Sequence, residues 1–133
     1  MDNDVNCDCK LRGTVHLPLT IASRAEEGIA ILELSGALTL GPNLGSLRRA
    51  VRDVLDETKA SGLILQVSGL TATDSSGLGE LTLVYSFASR RKCRLVLVGV
   101  SPTLRSILEM THLDGLLPSE PDIAAAKKRL KRP

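Results

Sequence analysis

The regular part of the chain opens with an alternation of apolar and polar positions. A spacing of two residues between apolar side chains is that of a half-buried β-strand. The apolar positions are Val15, Leu17, Leu19 and Ile21. Pro18 cannot donate a ladder hydrogen bond, so this strand is expected at a sheet edge. A turn over residues 24–28 leads into the nearly continuous apolar run 29–34, which predicts a more central strand paired with the first as a hairpin.

The apolar spacing becomes helical after a loop over residues 36–45 that is punctuated by glycines and a proline. The apolar side of this first helix consists of Leu44, Leu47, Val51, Val54 and Leu55. The run 63–67 is short and bounded by turn residues, which favours a strand covered on both faces. A second helix is expected after residues 74–77, and its predicted core side is Leu78, Leu81, Tyr85 and Ala88.

One further strand and two further helices complete the pattern. Residues 94–100 predict another buried strand. Ser101 and Pro102 can begin a third helix, because the serine oxygen accepts from the first turn and proline occupies a position whose amide would be unpaired anyway. This helix is expected to pack through Leu104, Ile107 and Leu108 and to end near Gly115, and a last helix is expected over residues 121–130.

Strands that alternate with helices after an opening hairpin predict an α/β fold with a mixed, largely parallel sheet and helices packed against it. The 133 residues suit a single domain. Residues 1–13 are polar and lack periodicity, so they are expected to form a flexible N-terminal tail, and residues 14–133 are expected to form the domain.

Composition narrows the possible functions. Tyr85 and Phe87 are the only aromatic residues, which disfavours stacking on single-stranded nucleic acid. The formal net charge of +2 is too small for binding driven by phosphate contacts, and the basic cluster at residues 127–132 is expected to be a solvated helix turn. No apolar run approaches the roughly 20 residues needed to cross a bilayer, and the acidic start does not resemble a signal sequence. The chain is therefore expected in the cytoplasm, without direct contact with nucleic acid or membrane.

The three cysteines form no disulfide framework. Cys93 lies in an apolar strand pattern, where a thiol behaves as a small hydrophobe. Cys7 and Cys9 could hold a metal ion, but His16 and His112 are the only histidines and are distant in sequence. We therefore expect neither a metal site nor a cofactor.

Residues 70–79 are the segment most open to a chemical interpretation, because they connect a buried strand to a helix at an edge where parallel sheets commonly carry function. Asp74, Ser75 or Ser76 can cap the helix, and Gly77 relieves crowding where the backbone turns. A catalytic serine would need a positioned base, which neither histidine offers by any motif. No enzymatic activity is expected.

The segments 74–81, 95–102 and 104–109 together resemble the STAS domain of anti-sigma factor antagonists, and residues 35–41 and 66–70 fit the same pattern. The resemblance covers roughly residues 15–117 in consistent order. It implies that Ser75, the first serine after the aspartate, is a phosphorylation site. It also implies two partners, namely an anti-sigma factor that is a serine kinase of the histidine-kinase-like ATPase fold, and a PP2C-type serine phosphatase.

The resemblance further implies that the unmodified domain captures the anti-sigma factor and frees a sigma factor. The partner is expected to contact the Ser75 turn, the adjoining side of the second helix and the neighbouring loop. The residues expected there are Thr39, Gly41, Asn43, Asp74, Ser75, Ser76, Gly77, Glu80 and Thr82. Many members carry an acidic residue where this chain has Thr39, so the contact made by that loop can differ in detail. The alternative is a STAS scaffold or regulatory subunit of a signalling assembly or of a lipid or anion transport system.

Overall fold

The computed structural model describes residues 19–41 and 44–131. Five strands form one sheet in the order β1-β2-β3-β4-β5. The strands are β1 (Thr20–Glu26), β2 (Ile29–Leu38), β3 (Gly62–Thr73), β4 (Arg94–Val98) and β5 (Ser119–Glu120). The helices are α1 (Ser46–Thr58), α2 (Ser75–Arg90), α3 (Pro102–Met110) and α4 (Ile123–Lys131). β1 is antiparallel to β2 and all other pairs are parallel, which confirms the predicted α/β class with its opening hairpin.

The hairpin turn is tighter than the sequence pattern predicted. It consists of Glu27 and Gly28, which have φ angles of 56° and 77°. Positive φ at both central residues suits a two-residue turn, whose twist matches that of the flanking strands. The expected turn over residues 24–28 is thus wrong for its first three residues, because Arg24 is a strand residue that bonds across the sheet to Glu33. Of the predicted first strand, residues 15–18 lie outside the described residues.

β2 and β3 both extend beyond their predicted ends, so the predicted loop over residues 36–45 begins too early. Shifts in register between Glu33 and Ser35 and between Gly36 and Ala37 keep the two strands paired as far as Leu38 and Thr73. At Gly69 a Cβ atom would lie 2.6 Å from the Leu34 carbonyl oxygen, so the close approach of the strands requires glycine there. β4 ends at Val98, two residues earlier than predicted, and the two-residue strand β5 was not predicted.

The sheet has a core on each face. The larger core lies under α1, α2 and α3, and it contains the predicted α1 residues Leu47, Val51, Val54 and Leu55. The smaller core is covered by α4 and consists of Ile29, Ile31, Ile64, Val96, Val98 and Ala126. The predicted cap of α3 is confirmed, because the Ser101 hydroxyl accepts from the Leu104 amide at 3.1 Å. Coverage of both faces explains why the central strands are continuous apolar runs.

Ion pairs connect α4 to residues of β1, of the β1–β2 turn and of β5. The Lys127 ammonium lies 2.6 Å from a Glu26 carboxylate oxygen, Lys131 pairs with Glu27, and Arg129 lies 2.8 Å from Glu120. The expectation that this basic cluster is merely solvated is therefore wrong for these three residues; Arg132 lies outside the described residues. Such pairs are partly exposed and each contributes little. Their combined effect is to orient α4 over the smaller core.

Truncation within the smaller core should therefore be costly. Ile64 is fully buried between α4 and the sheet, and Ile64→Ala should lower the free energy of unfolding by about 3 kcal/mol through lost burial and a residual cavity. Urea denaturation with an unchanged denaturant slope measures this. Ile21→Ala at the partly buried edge strand is the control and should cost clearly less. Equal losses for the two variants would show that α4 does not cover a packed core.

Candidate functional site

Two loops meet at the carboxyl ends of β2 and β3. Leu38 and Thr73 are partners in the parallel register, so the segments that follow them leave the sheet side by side. The first segment, residues 39–45, leads to α1, and the second consists of Asp74 alone before α2 begins at Ser75. This edge is where open α/β sheets place their functional residues. The predicted site residues that the structure describes in this region are thus brought to one edge, and they are Thr39, Gly41, Asp74, Ser75, Ser76 and Gly77.

Asp74 connects the two loops. One carboxylate oxygen accepts from the Gly77 amide at 2.9 Å and the other accepts from the Leu40 amide at 3.0 Å. The first bond makes Asp74 the N-cap of α2, and the second is to a residue 34 positions earlier in the chain. Of the three residues considered as caps, the structure therefore selects Asp74, and Ser76 does not cap the helix.

These bonds stabilise the ionised form of Asp74. The Leu40 amide, followed by the Gly77 amide, lowers the pKa of the Asp74 carboxyl below its ordinary value. A carboxyl whose pKa is lower in the folded state contributes stability above its unfolded pKa, and that contribution is lost as pH falls through the folded pKa. The connection between the loops is consequently complete at neutral pH and weakens in acid.

Gly77 is required by the closeness of β2. A Cβ atom at this position would overlap the Leu38 carbonyl oxygen and would lie 3.0 Å from the Thr73 methyl group. Gly77 is buried and lies in the first turn of α2. The relief of crowding predicted at this position is confirmed, and it allows the start of α2 to pack directly on the end of β2.

Ser75 and Ser76 differ in their surroundings. Ser75 is the first residue of α2 and is exposed, whereas Ser76 is partly buried. Within the described residues, neither hydroxyl forms a hydrogen bond. The Ser75 hydroxyl is therefore presented to solvent at a helix N-terminus, where amide groups and the helix dipole favour anions.

Glu80 does not lie on the exposed surface as expected. It is only 4% exposed, and its carboxylate accepts from the Arg48 guanidinium of α1 at 3.1 Å. The helical spacing that placed Glu80 opposite the core missed the presence of α1 beside α2. Thr82 is partly buried and donates its hydroxyl to the Leu78 carbonyl at 3.0 Å, so its one side-chain donor is already used within α2.

The loop after β2 contributes an exposed apolar residue that the sequence pattern did not single out. Leu40 is 75% exposed, while its backbone amide is held by Asp74. Thr39 is partly buried and Gly41 is exposed; Asn43 lies outside the described residues. The Leu40 side chain is therefore exposed from a backbone position that the Asp74 carboxylate holds in place.

The side chains that commonly bind metal ions do not cluster within the described residues. No group of three or more histidine, cysteine, aspartate and glutamate side chains there could hold a metal ion. Cys93 is buried, which raises the pKa of its thiol to about 11 and keeps it protonated. His112 is exposed just after α3, and Cys7, Cys9 and His16 lie outside the described residues. None of the helices described is long and apolar enough to cross a membrane.

Comparison with known proteins identifies the fold. Residues 20–126 match the STAS domain family. An anti-sigma factor antagonist from Mycobacterium paratuberculosis superposes with a TM-score of 0.72 and 20% identity over 86% of this chain and 95% of that chain. The phosphorylated form of the Bacillus cell fate determinant SpoIIAA gives 0.64 and 18% over 85% and 99%. A sulfate transporter family protein from Wolinella succinogenes gives 0.66 and 24% over 81% and 88%. The chain belongs to the STAS domain family, as the sequence resemblance indicated.

The double role of Asp74 can be tested by replacing it with asparagine. Asp74→Asn retains one acceptor oxygen, so one of the two amides at Leu40 and Gly77 should lose its partner and exchange its hydrogen faster. The melting temperature at pH 7 should fall by about 4 °C. The difference from the unmodified chain should narrow as the pH falls below the ordinary aspartate pKa of about 3.9 and through the lower pKa of Asp74 in the folded chain.

Asp53→Asn is the matched control, because it removes the same charge from an exposed position on α1. It should leave both amides protected. Full protection of Leu40 and Gly77 in Asp74→Asn would contradict the assignment of both bonds to Asp74.

Proposed function

We propose that this chain is an anti-sigma factor antagonist controlled by phosphorylation of Ser75. In its unmodified form it binds an anti-sigma factor, which is itself a serine kinase of the histidine-kinase-like ATPase fold, and thereby releases a sigma factor in the cytoplasm. A PP2C-type phosphatase would reverse the modification. The observation that carries the proposal is the exposed Ser75 hydroxyl at the start of α2, directly after the capping aspartate.

Several features support a protein-binding role for this edge. The exposed Leu40 side chain and the Ser75 hydroxyl belong to the two segments that Asp74 connects. An apolar side chain fixed beside polar groups can be covered by a partner at a small entropic cost, since the Leu40 backbone is already held by Asp74. Two of the superposed structures are described as an anti-sigma factor antagonist and as a phosphorylated cell fate determinant.

A physical mechanism for the switch follows from the geometry. A phosphate on Ser75 would add about −1.5 to −2 charge next to the ionised Asp74. The N-terminus of α2 would offset part of the repulsion within the folded domain. A partner packed on the unmodified serine would instead have to accommodate the bulk of a dianion and remove its water. A penalty of about 2.8 kcal/mol would weaken binding about a hundredfold.

The contact surface differs from the initial expectation in three residues, namely Glu80, Leu40 and Thr82, the last of which is left out because its hydroxyl donates to the Leu78 carbonyl. Glu80 is buried against Arg48. A partner would therefore contact the Arg48 side chain, which is 54% exposed, rather than Glu80. Leu40 is added because it is exposed beside the connection made by Asp74. Thr39, Gly41, Asp74, Ser75, Ser76 and Gly77 remain proposed contacts, and Asn43 remains one from sequence alone.

A role as a subunit of a transport system is the second candidate, favoured by the superposition on a sulfate transporter family protein. The two roles differ in the protein that accompanies this chain. Co-purification from native lysate with an ATPase-fold serine kinase supports the first role, and co-purification with a membrane transporter complex supports the second.

Phosphorylation of Ser75 should be detectable by mass spectrometry after incubation with the cognate kinase and ATP. Ser75→Ala should fold, resist the kinase and bind it constitutively. Ser75→Asp should fold but bind poorly, although a carboxylate carries only part of the phosphate charge. Stoichiometric phosphorylation should weaken partner binding about a hundredfold.

Ser76→Ala is the matched control, since its hydroxyl neither caps α2 nor bonds to another described residue. It should remain a substrate with unchanged thermal stability. Phosphate on Ser76 with Ser75 unmodified would refute the site, and undiminished affinity after full modification of Ser75 would refute the mechanism.

Leu40 provides a second test that does not depend on phosphorylation. Leu40→Ala should weaken partner binding about tenfold, because a partner that covers the Leu40 side chain removes its apolar surface from water. The free energy of unfolding of Leu40→Ala should be unchanged, since the Leu40 side chain is exposed. Met110→Ala truncates a similarly exposed apolar side chain at the end of α3 and should bind normally. Equal affinities for the two variants would remove Leu40 from the interface.

A further inference from the structure

An open groove lies between the outer sides of α1 and α2. Its volume is about 430 Å³. The side chains that give it its chemical character are Arg48, Arg49, Arg52, Leu83, Phe87 and Arg90. We call this surface the arginine groove. Arg48 borders both this groove and the contact surface proposed around Ser75, and the other side chains named here play no part in the proposed phosphorylation switch.

The groove concentrates positive charge on a chain whose formal net charge is only +2. Arg48 is balanced by the buried Glu80. Arg49, Arg52 and Arg90 have no ion-pair partner within the described residues. Three unbalanced guanidinium groups around one concave surface attract anions, and their planar shape suits carboxylates, which they bind through two parallel hydrogen bonds.

The groove also exposes apolar surface between the arginines. Leu83 is 47% exposed although it lies in the middle of α2. Phe87 follows one turn later and is partly buried, with the Arg91 guanidinium 4.5 Å from the centre of its ring. Arg91 in turn pairs with Asp56 of α1. The apolar part of the groove is therefore held in place by a cation–π contact and an ion pair.

Two ion pairs between the helices mark the extent of the groove. Arg48 pairs with Glu80 near the start of both helices, and Asp56 pairs with Arg91 near their ends. Along α1 the distance from residue 48 to residue 56 is about 12 Å, which corresponds to roughly two helical turns. A small anion would satisfy the arginines but would leave Leu83 in water. A short segment with both carboxylates and an apolar side chain matches the whole surface.

We propose that the arginine groove binds an acidic amphipathic segment of a partner protein. Carboxylates of that segment pair with Arg49, Arg52 and Arg90, and an apolar side chain of the segment covers Leu83 and Phe87. Helix-in-groove recognition of this kind reads apolar anchors at helical spacing, while the flanking charges set specificity. The interaction is independent of Ser75.

The test uses the full chain and a fluorescein-labelled peptide of glutamate and leucine arranged at helical spacing. Fluorescence anisotropy should show saturable binding that weakens as salt is added. Arg52→Gln combined with Arg90→Gln should weaken binding about tenfold or more. Amide resonances of Leu83 and Phe87 should shift on peptide addition. Ser75→Asp should bind the peptide normally, which separates this proposal from the switch.

The control variant combines Arg105→Gln with Lys128→Gln, which removes the same charge from exposed positions on α3 and α4. It should retain peptide binding. Equal losses in the two double variants would overturn the proposal, because they would show an effect of net charge alone. Equal binding of a peptide with glutamine in place of glutamate would also overturn it. Binding of phosphatidylglycerol vesicles or of a DNA duplex through the same arginines, without peptide binding, would assign the groove to another ligand.

Discussion

The Asp74 carboxylate holds together two segments that are 34 residues apart in the chain. Parallel pairing of β2 and β3 brings these segments to the same edge of the sheet, but pairing alone ends at Leu38 and Thr73. Beyond that point the described residues of the first segment, 39–41 and 44–45, have no partner in the sheet. The bond from the Leu40 amide to Asp74 replaces the lost ladder, while the bond from Gly77 completes the start of α2. The Asp74 side chain thereby holds in place both segments that form the candidate site.

This arrangement depends on close backbone packing. The first turn of α2 lies against the Leu38 carbonyl, a position that only glycine at residue 77 allows. A larger residue would separate α2 from β2 and would lengthen the distance over which Asp74 has to reach. The shifts in register between β2 and β3 also contribute to this packing. They keep the two strands paired as far as Leu38, which therefore lies beneath α2. The positions of Asp74 and Ser75 therefore depend on the close backbone contact between Gly77 and Leu38.

Much of the fold could be predicted because its signals are local. The apolar spacing of α1 and the Ser101 cap of α3 depend on neighbouring residues, and both were confirmed. The ends of β2 and β3 were missed because pairing with a distant strand sustains them despite glycines at residues 36 and 69. Glu80 was misplaced for the same reason, since helical spacing identifies the side facing the sheet but cannot show that α1 lies alongside. Leu40 gave no sequence signal, because its exposure is set by a bond from its own backbone to Asp74.

The two surfaces on α2 are separated enough to act independently. Ser75 and Arg90 are the first and last residues of the helix, so their backbones are about 22 Å apart. The Debye length at physiological ionic strength is about 8 Å, and a charge added at Ser75 is therefore largely screened at Arg90. Arg48 lies nearer to Ser75 through its bond to Glu80, but that carboxylate already balances its charge. A phosphate at the start of α2 would consequently change the local surface of the switch without neutralising the arginine groove, and one helix can present two contacts that respond to different signals.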